Sequence, residues 1–109
     1  MKRTEHTQKW LDALRSGKYK QGFGGLSQNG AFCCLGVACD VYAPHEWEHR
    51  DGYSAHPFGA GTMNYDGRET FGMDADEAGA LIEMNDSEKK SFPEIADEIE
   101  EMLEPEACQ

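Results

Sequence analysis

The chain has 109 residues, with 21 Asp and Glu against 10 Lys and Arg, so its formal net charge is −11. This length is typical of one domain, the acidic balance opposes direct nucleic acid binding, and no apolar run approaches a membrane span. The basic N-terminus lacks a following apolar segment, so we expect no signal peptide and a cytoplasmic protein. We expect residues 1–109 to be one domain, with a frayed tail at 105–109. The charge is uneven, because residues 1–20 sum to +4 and residues 21–109 to −15.

The first third of the chain predicts a helix, an irregular segment and a turn. Apolar side chains at 3.6-residue spacing predict a helix from about Thr7 to Ser16. The glycine-rich stretch 19–26 predicts an irregular extended segment. Asn29-Gly30 predicts a tight turn, since both residues accept the positive φ values of short hairpins.

The most apolar stretch of the chain, 31–42, predicts a short strand followed by a buried helix. Apolar residues lie nearly all round this helix, which indicates burial on most sides, and Pro44 limits it. The middle of the chain, 45–72, has no helical period. Asp51-Gly52 and Asp66-Gly67 each lie between short runs of β-type residues, so two β-hairpins are predicted there.

Two helices are predicted near the C-terminus, each opened by a capping box. Asp74 to Glu77 starts a helix that runs to about Met84, and a polar connector follows over 85–90. Ser91 to Glu94 starts a second helix, which Pro105 ends. The expected fold is therefore α+β, with an N-terminal helix, a buried cysteine-rich helix, one or two hairpins and two C-terminal helices.

The adjacent cysteines allow a catalytic and a structural interpretation. A thiol at a helix N-terminus has a lowered pKa and can act as a nucleophile, so Cys33 or Cys34 could work with His45 or His49. The more common alternative is that such thiols pack as small buried hydrophobes. Their spacing does not match zinc-binding motifs, so neither a metal nor a cofactor is predicted.

The glycine-rich segment lacks the standard nucleotide motifs. Gly22 to Gly25 has no lysine where a phosphate-binding loop needs one, and Ser27 replaces the last glycine of a dinucleotide motif. Glycine backbone beside basic residues can still hold a small anionic ligand. The candidate ligand-binding residues are Arg15, Lys20, Gln21, Gly24 and Gly25.

The last predicted helix carries a row of acids opposite its apolar stripe. Carboxylates at i, i+3, i+4 and i+7 on a rigid helix can imitate nucleic acid phosphates to a basic protein. A solvated helix face is the more common origin of such a row. The candidate partner-binding residues are Glu94, Asp97, Glu98 and Glu101.

Three blocks of sequence resemble an uncharacterised family of small proteins encoded by bacteriophages, prophages and some bacteria. The blocks are Trp10 to Gln21, Cys33 to Asp40, and Met84 to Asp86 with Ser91 to Glu100. The Cys-Cys-Leu-Gly-Val core is the most specific part. Ala38 and Met84 stand where the family pattern has leucine, and 45–72 has no counterpart. The resemblance implies a phage-type setting and supplies no catalytic residues.

Three functional hypotheses remain open at the level of sequence. The first is a non-enzymatic accessory protein, active in host takeover or anti-defence, that binds a basic host protein or a small anionic host ligand. The second is an enzyme that uses Cys33 or Cys34. The third is an assembly domain that forms a homo-oligomer through exposed hairpin edges.

Overall fold

A computed structural model describes residues 1–104 of the chain. Within that range the predicted α+β fold is confirmed. Its elements are α1 (Thr7–Arg15), β1 (Ser27–Gln28), β2 (Ala31–Phe32), α2 (Cys34–Tyr42), β3 (Glu48–Arg50), β4 (Tyr53–Ala55), α3 (Tyr65–Thr70), α4 (Ala75–Asp86) and α5 (Phe92–Met102). The predicted tail at 105–109 and the stop at Pro105 lie outside the described residues.

The helices enclose one core built around α2. α1 packs against both α2 and α5, and α2 also packs against α4. Trp10 of α1 is fully buried in this core, and its indole Nε1 donates a hydrogen bond to the Cys34 carbonyl at 3.0 Å. α2 is therefore central, as its apolar sequence predicted. None of the helices in residues 1–104 is both long and apolar enough to cross a membrane.

The four strands form one antiparallel sheet in the order β2-β1-β4-β3. The predicted Asn29-Gly30 turn joins β1 to β2, with φ of 53° and 80° at its two residues. The predicted Asp51-Gly52 turn joins β3 to β4. Ser27 pairs with Ser54 and so links the two hairpins through β1 and β4.

The second predicted hairpin of the middle segment is wrong, because Asp66-Gly67 lies inside α3. The Asn64 side chain accepts a hydrogen bond from the Gly67 amide at 3.0 Å and thereby caps the helix. Gly67 is buried, and a Cβ there would come within 2.5 Å of the Met63 side chain. Asp66-Gly67 therefore lies in the first turn of a helix, where Gly67 packs tightly against Met63.

Both predicted capping boxes are present at the C-terminal helices. The Asp74 carboxylate accepts from the Glu77 amide at 2.8 Å, and the Ser91 hydroxyl accepts from the Glu94 amide at 3.4 Å. α4 runs two residues beyond the predicted end at Met84. The prediction that 85–90 is a polar connector is therefore wrong at its start, since Asn85 belongs to α4 and is fully buried.

Candidate functional site

The thiols of α2 are core side chains. Cys33 caps the helix, and its Sγ accepts from the Gly36 amide at 3.4 Å. The Cys34 thiol donates to the Leu81 carbonyl at 3.5 Å. Burial raises the pKa of Cys33 to about 11 and raises the pKa values of Cys34 and Cys39 as well. A helix N-terminus lowers the pKa of a nearby thiol, but here desolvation has the larger effect and raises it.

The candidate histidines lie away from these thiols. α2 separates Cys33 at its N-terminus from His45 beyond its C-terminus by roughly 13 Å of helix. His49 lies on β3, where its Nδ1 is 2.9 Å from the Ser54 hydroxyl. Cys33, Cys34 and His49 each hydrogen-bond to other groups. Among residues 1–104, no three His, Cys, Asp or Glu side chains cluster to hold a metal ion.

We expect Cys33, Cys34 and Cys39 to resist alkylation in the native protein at pH 8. All three are buried, and a pKa of about 11 leaves roughly one Cys33 in a thousand as thiolate at that pH. Iodoacetamide labelling followed by peptide mass spectrometry, with and without denaturant, measures this directly. Rapid native labelling of Cys33 or Cys34 would instead support the nucleophile hypothesis.

The structure does not bring the candidate ligand-binding residues together. Arg15, at the end of α1, donates to Glu100 Oε2 at 2.8 Å and to Asp97 Oδ1 at 2.7 Å on α5. These hydrogen bonds raise the pKa of its guanidinium. Gln21 faces α4, where its Nε2 donates to the Asn85 side chain at 2.9 Å. Lys20 is exposed.

Gly24 and Gly25 line an open groove of about 410 Å³ beside the sheet. Sequence reasoning missed Asp51 and Tyr53 in this groove, because Asp51-Gly52 signalled only a turn. Tyr53 is 42% exposed, and Asp51 is the charged residue of the lining. A carboxylate in this position opposes the anionic ligand that the sequence led us to expect. The other lining residues are Gln28, Gly52, Ala60 and Gly61.

The candidate partner-binding acids of α5 differ in the hydrogen bonds and ion pairs that they form within the protein. Glu94 closes the capping box, and hydrogen bonds from Ser91 lower the pKa of its carboxyl. Asp97 binds Arg15, and Glu98 lies 3.8 Å from the Lys90 ammonium. Glu101 is exposed on the last turn. The row is on the surface, as predicted, and part of its charge is compensated within the protein.

Acidic side chains extend from α5 onto α4. Residues 74–104 contain twelve Asp and Glu against two Lys, a net charge of −10. Asp76 and Glu83 are exposed on α4. A cleft of about 450 Å³ at the start of α4 carries further carboxylates, from Glu69, Asp74, Glu77 and Glu104. The acidic segment 74–104 is therefore the most strongly charged part of the described surface.

Comparison with known proteins identifies a family for the N-terminal part of the chain. Residues 1–64 match a family described as a domain of unknown function (DUF8296). The chain belongs to this family. No curated protein and no solved structure matches the chain significantly. The match is consistent with an uncharacterised family, and it covers two of the three blocks of the resemblance, Trp10 to Gln21 and Cys33 to Asp40.

The DUF8296 match runs from the N-terminus to just before α3. It contains α1, the sheet and α2, and therefore Arg15, Gly24, Gly25, Cys33 and Cys34. The acidic segment 74–104 follows the matched region. The two classes of candidate residue thus belong to different parts of the chain, the ligand and thiol candidates to the DUF8296 region and the acidic candidates to the segment beyond it.

Proposed function

We propose that this DUF8296 protein is a non-enzymatic accessory protein that binds a basic surface of another protein through its acidic segment 74–104. The observation that carries the proposal is the net charge of −10 over that segment, borne on two helices. A field of one sign on a fixed surface speeds association with an oppositely charged partner and selects against acidic ones.

The rigidity of α4 and α5 supports this role. Both helices start in complete capping boxes, and their apolar faces are fully buried at Leu81, Ile95 and Ile99. Their exposed carboxylates are therefore held at helical spacing, with residues three and four apart about 5–6 Å from each other. To a basic surface that normally contacts a phosphate backbone, these carboxylates present a row of negative charges similar to the phosphates.

The pairing between α1 and α5 limits which carboxylates contribute most. Arg15 is held by Asp97 and Glu100, so the charge of these two carboxylates is partly compensated, whereas Glu101 is exposed on the last turn. A basic partner can also replace Arg15 as the counter-ion of Asp97. Exposed ion pairs of this kind contribute only about 0–1 kcal/mol and so exchange readily.

The phage-type setting comes from the sequence resemblance. In that setting the partner is a basic protein of the bacterial host, the site of action is the host cytoplasm, and the effect is host takeover or the inhibition of a defence protein. The small-ligand and cysteine-enzyme alternatives have less support, since Arg15 and Gln21 bind other side chains and the α2 thiols are buried.

Two variants with equal charge changes test the proposal. The first neutralises the candidate acids of α5: Glu94→Gln, Asp97→Asn, Glu98→Gln and Glu101→Gln. Glutamine at position 94 keeps the capping box. The control neutralises exposed acids elsewhere: Glu5→Gln, Glu46→Gln, Asp51→Asn and Asp66→Asn. Each immobilised protein is incubated with bacterial lysate, and bound proteins are quantified by mass spectrometry before and after elution with heparin.

We expect the wild type and the control to retain the same basic protein, which heparin displaces, and the α5 variant to retain at least tenfold less. Equal retention by all three proteins would remove α5 from the interface. Equal loss in both variants would show that only total charge matters, which also contradicts the proposal.

A further inference from the structure

The two edges of the sheet differ, because residues 1–104 cover the β2 edge and leave the β3 edge open. At the β2 edge, the Phe32 amide donates to the Lys20 carbonyl at 2.8 Å, and the Phe32 carbonyl accepts from the Gly22 amide at 2.7 Å. The preceding chain therefore covers this edge. At the other edge, no strand within residues 1–104 pairs with the outer side of β3, and all three of its residues are exposed.

The register of the β3–β4 hairpin shows which backbone groups face outward. Arg50 and Tyr53 flank the two-residue turn and form a ladder pair, so they are a hydrogen-bonded pair. The next pair, His49 with Ser54, is then a non-hydrogen-bonded pair. Ser54 accordingly turns its backbone away from β3 and towards Ser27 of β1. By the same alternation, the amide and carbonyl of His49 point outward from the open edge.

The sequence of β3 is complementary to itself about His49. Glu48 and Arg50 lie one residue either side, on the same face of the strand, where their side chains form an ion pair at 2.7 Å. In an antiparallel pair of two such strands centred on His49, each Glu48 lies opposite Arg50 of the other copy. Opposite charges at directly facing positions stabilise a sheet pair, and like charges destabilise it.

We propose that β3 is a homodimerisation edge, at which a second copy of this chain adds antiparallel with His49 facing His49. Two backbone hydrogen bonds form between the two His49 residues, and two Glu48–Arg50 ion pairs form across the dyad. The result is one continuous sheet of eight strands. A second copy is the occupant that the charges favour, because the complementarity is symmetric about His49. This inference is independent of the proposed function of α4 and α5.

The expected dimer is weak. β3 has three residues, so the new interface is small, and each copy carries a net charge of −11 that opposes association. We expect a dissociation constant on the order of 1 mM. Short strands with charged side chains are a common protection against open-ended edge pairing. Here the covered β2 edge stops growth at two copies.

A charge reversal and its rescue test the dimer by sedimentation equilibrium up to millimolar concentration. Arg50→Glu places acids opposite Glu48 of the other copy, and we expect at least tenfold weaker association. The double variant Glu48→Arg/Arg50→Glu restores complementarity, and we expect association within about threefold of the wild type. Lys18→Glu, an exposed change of the same size outside the sheet, is the control and should leave association nearly unchanged.

A second measurement locates the contact. In two-dimensional NMR spectra of the wild type, the His49 amide should shift with protein concentration, and this shift should vanish in Arg50→Glu. A monomeric wild type over the whole range would overturn the proposal. So would a dimer that Arg50→Glu leaves intact, or a double variant that fails to recover while its circular dichroism remains native.

Discussion

Replacing Gly36 with alanine is expected to destabilise the protein by at least about 3 kcal/mol. A Cβ at this position would lie 1.8 Å from the Leu26 carbonyl oxygen and 2.8 Å from its carbon. A methyl carbon cannot lie so close to a non-bonded carbonyl group, and the obstacle is backbone rather than a flexible side chain. α2 would have to move away from the segment that precedes β1. Urea unfolding of the wild type and the variant measures the loss.

The Leu26 carbonyl cannot turn aside without further cost. It accepts a hydrogen bond from the Cys33 amide at 3.2 Å, and the Leu26 amide donates to the Ala60 carbonyl at 2.8 Å. The Leu26 side chain is fully buried. A shift would therefore break buried hydrogen bonds as well as packing. This close approach explains why a glycine lies within the otherwise bulky Cys-Cys-Leu-Gly-Val block.

Gly79→Ala is the matched control for this substitution. Gly79 is also inside a helix, but it is exposed, and a Cβ there meets no atom within 4 Å. Alanine should stabilise α4 by up to about 1 kcal/mol, since glycine is a poor helix former. If both substitutions changed the free energy of unfolding by a similar small amount, the tight contact between α2 and Leu26 would be contradicted.

Local sequence signals predicted most of the secondary structure. The capping boxes at Asp74 and Ser91, the Asn29-Gly30 turn and the apolar α2 segment all act within a few residues. Their structures could therefore be predicted before any tertiary contact was known. The same holds for α1, whose apolar spacing matches its buried side chains.

The two Asp-Gly pairs show where local signals fail. Asp51-Gly52 is a hairpin turn, whereas Asp66-Gly67 is part of a helix. The difference depends on the Asn64 cap and on Gly67 packing against Met63 and Phe58. An Asp-Gly pair is compatible with both outcomes, and tertiary packing selects between them.

The charges of the candidate residues could be predicted from the sequence, but their ion-pair partners could not. The spacing of the acids and the distribution of charge along the sequence give the acidic row on α5 and the basic N-terminal segment. That Arg15 meets Asp97 and Glu100, more than 80 residues away, depends on how α1 packs against α5. Likewise, the position of Cys33 at a helix N-terminus was predicted, but the depth of its burial follows from the packing of α2 at the centre of the core.

Replacing Asn85 with alanine is expected to destabilise the protein by about 2–4 kcal/mol. Asn85 is fully buried, and its Nδ2 donates to the Gly22 carbonyl at 2.9 Å while its Oδ1 accepts from Gln21 Nε2. Alanine removes both hydrogen bonds, leaves the Gly22 carbonyl without this donor and opens a cavity at the end of α4. Thermal and urea unfolding provide the measurement.

A substitution of Gln21 separates the loss of its hydrogen bond with Asn85 from the effect of the cavity that Asn85→Ala opens. The Gln21 Nε2 also donates to the Lys90 carbonyl at 2.8 Å, so Gln21 joins the glycine-rich segment both to α4 and to the chain that leads into α5. Gln21→Ala alone should cost less than Asn85→Ala, because Gln21 is only partly buried.

A double-mutant cycle of Gln21→Ala and Asn85→Ala then measures their coupling. We expect the double variant to lose less stability than the sum of the single variants, by roughly 0.5–3 kcal/mol, because both remove the same hydrogen bond. Additive losses would mean that the hydrogen bond between Gln21 and Asn85 contributes little to stability. Asn85 would then act through its packing and its hydrogen bond to the Gly22 carbonyl.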